Sequence, residues 1–125
     1  WGHAKDYTEM QWRIMQQKKP KDYVIATGHA YSVKQFVNIA ADYLGMKILW
    51  SGKGLNEIGY TFNKNKKEIL IKIDKKYFRP NEVEYLKGDA SKALRDLKFK
   101  PKYSFKALVE DMIDSDLLEA KKELE

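Results

Sequence analysis

In the stretch Lys76-Tyr77-Phe78-Arg79-Pro80-Asn81-Glu82-Val83-Glu84-Tyr85-Leu86-Lys87-Gly88-Asp89, a guanidinium and a carboxylate stand three positions apart. Arg79 is one of only three arginines in a chain whose other basic residues are all lysine. The proline after it keeps Arg79 out of helical backbone and suits a turn or the start of a short helix. With Glu82 three positions on, both side chains can reach one ligand. A planar guanidinium grips a phosphate through two parallel charge-assisted hydrogen bonds, each worth roughly 1.5–3 kcal/mol. A carboxylate accepts from vicinal hydroxyls, such as those a ribose presents. The same spacing also describes a surface ion pair at a helix start, worth about 0–1 kcal/mol. Spacing alone leaves both readings open.

Other chemistry-bearing residues carry less. Gly52-Lys53-Gly54 followed by Gly59 has the residue types of a dinucleotide fingerprint but not its spacing, and no helix follows. It reads as a mobile loop whose glycines let backbone approach a ligand. Tyr-x-x-x-Lys, the spacing in which a lysine activates a tyrosine for proton transfer, occurs at Tyr43/Lys47 and at Tyr60/Lys64. With 8 tyrosines and abundant lysine such matches arise by accident, and Tyr43 and Lys47 straddle Gly45, so they cannot share a helix face. Neither pair is read as catalytic. His3 and His29 are the only histidines, too few for a His-based metal site, and read as structural or exposed. Asp42 and the acidic residues within 110–119 read as solvated helix surface, and no serine sits in a nucleophile elbow. The residues present make no complete catalytic constellation and no metal site.

Composition bounds the rest. A chain of 125 residues can bury about two-thirds of its unfolded surface. With 43% hydrophobic residues a core is available, and disorder is not the default. A formal net charge of +6 suits an anionic partner. The lysines are spread along the chain, however, and no basic run is interleaved with stacking aromatics, so nucleic acid is not the expected partner. The absence of cysteine excludes disulfides and thiolate metal sites. No apolar run approaches membrane-spanning length, and no signal-peptide pattern is present, so a cytoplasmic protein without a membrane partner is expected. A start on Trp1 instead of methionine suggests that residues upstream belong to the protein.

The elements that must position these residues alternate. Residues 4–17 have apolar positions at helical spacing (Tyr7, Met10, Ile14), and Lys18-Lys19-Pro20 ends the run. Tyr23-Val24-Ile25-Ala26-Thr27-Gly28 predicts a buried strand. Ser32 opens a helix with Gln35 completing a capping box, and Gly45 stops it. Ile48-Leu49-Trp50 predicts a short strand, and Asn63-Lys64-Asn65-Lys66-Lys67 a hairpin tip between Tyr60-Thr61-Phe62 and residues 68–73. Asp89 is expected to cap a short helix carrying Ala90, Ala93, Leu94 and Leu97. Ser104 is expected to cap the last one, with Phe105, Leu108, Val109, Met112 and Ile113 facing inward. The alternation reads as α/β and as one compact unit, with few and short strands.

The Arg79 segment resembles the nucleotide-phosphate arm of extended short-chain dehydrogenase/reductase enzymes that act on sugar nucleotides. Tyr77-Phe78-Arg79-Pro80, Glu82-Val83-Glu84, Leu86 and Gly88-Asp89 are similar to the GDP-mannose 4,6-dehydratases in particular. So are Trp1-Gly2-His3-Ala4-Lys5-Asp6-Tyr7, residues 22–28, Ser32-Val33-Lys34-Gln35-Phe36-Val37 and Gly52-Lys53-Gly54-Leu55-Asn56-Glu57-Ile58-Gly59. Asp89-Ala90-Ser91-Lys92-Ala93 through Leu97 and Pro101 resembles the wider superfamily's C-terminal signature. Lys98 and Phe99 depart from a frequent Gly-Trp, and Thr8 from a common valine.

The resemblance implies that residues 1–125 are an α/β substrate-binding domain, the C-terminal part of a larger enzyme whose Rossmann half is absent. It implies a lyase of nucleotide-sugar metabolism. Hydride passes from sugar C4 to NADP, water leaves across C5–C6, and hydride returns to C6, giving GDP-4-keto-6-deoxymannose, a precursor of fucose and related deoxysugars. Arg79 would clamp the GDP diphosphate and Glu82 would meet the ribose. NADP and the catalytic residues would belong to the other half, so this chain alone would be inactive, and the full-length enzyme would be a homo-oligomer. Two alternatives stay open: an epimerase or reductase of the same architecture acting on another sugar nucleotide, and a stand-alone basic module binding nucleotide or nucleic acid.

Overall fold

The apolar spacing of residues 4–17 becomes helix α1, Ala4–Met15, in the computed structural model of the chain. The structure describes residues 1–79, 81, 83 and 85–124. The chain is α/β, and its described residues form four α-helices and a three-stranded sheet. Where the sequence suggests one compact unit, the contacts divide it into two: Trp1–Phe36 with Tyr85–Glu125, and Val37–Glu84.

In the larger unit α1 is joined by α3, Ser91–Leu97, and α4, Phe105–Glu123. Met10, fully buried, packs with Ala93, Leu97 and Phe99, and Ile14, Tyr23 and Ile25 flank this core. Polar contacts align α1 with the segments around it. The buried Asp6 carboxylate accepts from the backbone N–H groups of Lys102 (3.1 Å) and Tyr103 (3.2 Å). Arg13 donates from Nη1 to the carbonyls of Leu97 and Lys98, each at 3.0 Å, placing a cation where the α3 dipole is negative. Ser104 caps α4 as expected, its hydroxyl accepting from Ala107 N–H at 3.1 Å. Phe105, Leu108 and Val109 of α4 are buried, whereas Met112, expected inside, is 40% exposed.

Two local expectations are corrected. Residues 23–28 form no strand. Tyr23 and Ile25 pack on the core while Val24 is 55% exposed, the two-sided alternation of extended chain, but the sheet lies wholly within residues 49–72, and extended backbone without a ladder partner is not a strand. Asp89 is not the α3 cap. Ala90 holds that position, and Asp89 Oδ1 instead accepts from Ser91 N–H (2.9 Å) and the Ser91 hydroxyl, the short Asx turn its side chain favours.

Lys98 ends α3 at φ 54°, ψ 32°, the left-handed region that glycine enters more cheaply. Here the departure from the superfamily's frequent glycine has a backbone consequence. Lys98→Gly is expected to stabilise the protein by about 0.5–1 kcal/mol, read as a higher denaturation midpoint. A lower midpoint would mean the lysine side chain contributes more than its backbone costs.

Helix α2, Val33–Tyr43, starts from the capping box read in sequence: Ser32 N–H donates to Gln35 Oε1 at 2.7 Å, and Gln35 N–H to Ser32 Oγ at 3.1 Å. It stops at Gly45, whose φ of +70° lets Met46 N–H return to the Ala41 carbonyl at 2.8 Å. In the smaller unit β1 (Leu49–Ser51), β2 (Ile58–Asn63) and β3 (Lys66–Lys72) form an antiparallel meander in chain order. The hairpin closes through Lys64 and Asn65 at φ 48° and 64°, the mirror-image turn that matches strand twist, so its tip is narrower than residues 63–67. Trp50 Nε1–H donates to Asn38 Oδ1 at 2.8 Å, fastening β1 to the middle of α2.

Candidate functional site

Arg79 follows a single 3-10 turn, Lys75–Tyr77. Asp74 opens that turn, Oδ1 accepting from Lys76 N–H at 2.9 Å, and Phe78 N–H closes it on the Lys75 carbonyl at 3.3 Å. Phe78 then leaves at φ −70°, ψ 128°, so the chain reaches Arg79 extended and non-helical, as the following proline requires. The Arg79 side chain is exposed and has no ion pair or hydrogen bond among the described residues. Lys75, Lys76, Tyr77 and Phe78 before it are exposed too, with Lys76 Nζ 5.4 Å from the Tyr77 ring centre. Glu82, the second residue of the sequence pattern, lies outside the described residues, as do Pro80 and Glu84.

The larger unit holds a cavity of about 730 Å³ that the sequence did not reveal. Ala26–Gly28 and Lys87–Ser91 form two of its walls, and Phe99, Lys100 and Pro101 another. The first two walls meet at Gly88: a Cβ there would lie 2.6 Å from the Ala26 Cβ, so only glycine allows the approach. Asp89 faces this space with Lys87 and Lys100. Hydrogen bonds from the Ser91 hydroxyl and backbone, helped by Lys87, hold the Asp89 carboxyl below the usual carboxylate range, so it is ionised at neutral pH. A glycine between a lysine and an aspartate in non-helical chain was the one signal of this wall available in sequence. Arg79 is not among the lining residues.

Beside this cavity is a smaller one of about 400 Å³, lined by Trp1, Tyr31, Tyr103 and Phe105 among others. Tyr31 and Phe105 stack with ring centres 4.0 Å apart, and Trp1 Nε1–H donates to the Tyr31 carbonyl at 2.8 Å. The Ser91 hydroxyl and the Asp89 carboxylate that accepts from it both line the larger cavity, but among the described residues no histidine or third group orients the pair there.

Of the two Tyr-x-x-x-Lys pairs, Tyr43 ends α2 and Lys47 lies beyond Gly45. Tyr60 is on β2, and the lysine over its ring is Lys67, 4.0 Å from the ring centre, while Lys64 sits in the turn. His29 is exposed. His3 is buried, and it bonds Asp111, which the sequence had grouped with the solvated acidic face. No cluster of three His, Cys, Asp or Glu residues able to hold a metal occurs among the described residues, and no helix there is long and apolar enough to cross a membrane.

A family model described as GDP-mannose 4,6 dehydratase matches residues 1–112. The chain is 46% identical over 117 residues to the GDP-mannose 4,6 dehydratase of Drosophila melanogaster and 43% identical over 117 residues to that of Homo sapiens. It is 42% identical over an alignment of 129 residues to the GDP-mannose 4,6-dehydratase of Yersinia enterocolitica. These alignments take in 94–97% of this chain but only 29–35% of each relative, so the chain spans about a third of the length of the curated relatives it matches.

Proposed function

We infer, for a chain that belongs to the GDP-mannose 4,6-dehydratase family, that residues 1–125 are the substrate-binding part of a lyase converting GDP-mannose to GDP-4-keto-6-deoxymannose. The observation that carries this is the family match over residues 1–112. The form of the Arg79 arm supports it: a guanidinium that is exposed and unpaired among the described residues, on non-helical chain, of the kind that meets a diphosphate through two parallel hydrogen bonds. In this reading Arg79 holds the diphosphate and Glu82 the ribose hydroxyls. The chain's work is then binding: it anchors the non-reacting nucleotide, and that energy orients the hexose where the chemistry occurs.

The family's cofactor does not fit the residues present. Gly52-Lys53-Gly54 leads into a 3-10 turn, Gly54–Asn56, and then β2, whereas a dinucleotide's pyrophosphate is held where glycines open a long helix. The reading therefore assigns NADP, and the proton-transferring groups, to the part of the protein this chain does not cover. A cytoplasmic homo-oligomer completes it.

Intact protein given GDP-mannose and NADP should yield a nucleotide sugar one water lighter than the substrate, with GDP competing better than UDP, while residues 1–125 alone yield nothing. A product of unchanged mass would turn the reading to an epimerase of the same architecture. Strongly salt-dependent binding of random oligonucleotides, with no turnover, would favour the basic module.

A further inference from the structure

Neither histidine has a place in the binding arm, yet His3 is one of two buried polar or charged residues among those described. Both of its ring nitrogens are committed. Nδ1 accepts from the Lys5 backbone N–H at 3.1 Å and so caps α1 from the residue just before it. Nε2 lies 3.0 Å from Asp111 Oδ2 on α4. Since Nδ1 must offer its lone pair to an N–H, the proton sits on Nε2 and is donated to the carboxylate. The ring is also stacked on Tyr103, with centres 3.9 Å apart, so it cannot swing away without losing that contact.

We propose that His3 is an acid-sensitive cap on α1, held by Asp111 as the Nε2–H tautomer, and that a proton taken up at Nδ1 releases the helix's first turn. The added proton turns an acceptor into a donor aimed at another donor, the Lys5 N–H. The imidazolium keeps, and strengthens, its bond to Asp111, so the ring stays on α4 while the cap is lost.

The other titratable and charged groups around it do not substitute for Nδ1. Lys5 places its ammonium 5.8 Å from the Tyr103 ring centre, and Asp6 is occupied by the Lys102 and Tyr103 N–H groups. Glu110, beside Asp111 on α4, pairs with Lys106 at 3.6 Å. Hydrogen bonding from His3 holds the Asp111 carboxyl below the usual range, so its charge is in place throughout the interval in which an imidazole titrates. Because α1 also carries Asp6, Met10 and Arg13, loosening its first turn acts on the helix that aligns the rest of the larger unit.

The test is hydrogen exchange at the Lys5 amide of the intact protein, corrected for intrinsic rate, between about pH 8 and about pH 5. Protection should fall roughly fivefold on acidification, the size of a lost helix cap. In His3→Asn, whose amide oxygen caps but takes no proton, protection should stay level. Asp111→Asn keeps an acceptor for Nε2–H but removes the counter-charge, so release should move to lower pH. Histidine-selective nitrogen NMR of the unaltered protein gives an independent reading, with the proton expected on Nε2 at neutral pH. A proton on Nδ1 at neutral pH, or Lys5 protection that does not change with pH in the unaltered protein, would overturn the proposal. The same fall in His3→Asn as in the unaltered protein would also overturn it.

Discussion

Replacing Arg79 with alanine in the intact protein is expected to raise KM for GDP-mannose by about 10- to 100-fold, the loss of one charge-assisted, forked phosphate contact. Arg79 is exposed and bonds nothing among the described residues, so its removal should leave the melting temperature within the small range of ordinary surface changes. That separation makes the result interpretable: binding falls while the fold does not. Arg79→Lys should recover part of the loss, since it restores the charge but not the two parallel donors. Glu82→Gln should cost less than Arg79→Ala, because a neutral amide oxygen still accepts from a ribose hydroxyl. The effect should also appear with GDP alone as a competitor, as the contact is to the diphosphate and not to the hexose. Substrate affinity unchanged in Arg79→Ala would remove this arm from the site, and the basic cavity lined by Lys87 and Lys100 would then be the next place to look for the anion.

What could be read from the sequence was what short-range chemistry decides. The Ser32/Gln35 capping box, the Ser104 cap and the Gly45 stop each depend on residues within a few positions, and each stands where the sequence put it, while the Lys64-Asn65 turn falls inside the wider tip, residues 63–67, that the sequence suggested. Residues 23–28 show the opposite case. Their propensity and alternation are those of a strand, but a strand is made by its neighbour, and no local pattern says whether a neighbour exists. The division into two units was hidden for a similar reason: it falls within α2, where composition does not change. That Arg79 lies in non-helical backbone followed from Pro80, whereas the cavity depends on Gly88 meeting Ala26, a contact across some sixty positions that no spacing rule encodes. His3 is structural, one of the two readings the sequence left open, but its partner was not legible, because a lone histidine carries no sign of what it bonds and Asp111 lies 108 positions away.

Asp6→Ala is expected to destabilise the larger unit by about 2–4 kcal/mol, and the reason is its place between α1 and the segment before α4. One carboxylate oxygen serves two backbone donors, Lys102 N–H and Tyr103 N–H, from a side chain that is 3% exposed. Alanine leaves both donors without that acceptor in a partly buried position and also removes a negative charge from the first turn of α1, where the helix dipole favours one. Asp6→Asn should cost roughly half as much, because the amide oxygen can still accept while the charge is gone. Glu9, one turn along the same helix, is the contrasting case. Its carboxyl is held below the usual range by Lys102 and Arg13, yet it is solvent-exposed enough that screening discounts those pairs, and Glu9→Gln should scarcely move the unfolding midpoint. Thermal unfolding of the intact protein, with exchange at the Lys102 and Tyr103 amides as the local readout, distinguishes the two positions. If Asp6→Ala were as stable as the unaltered protein, the docking of α1 would rest on Met10 and its apolar neighbours alone. The carboxylate's two hydrogen bonds would then be matched in strength by water.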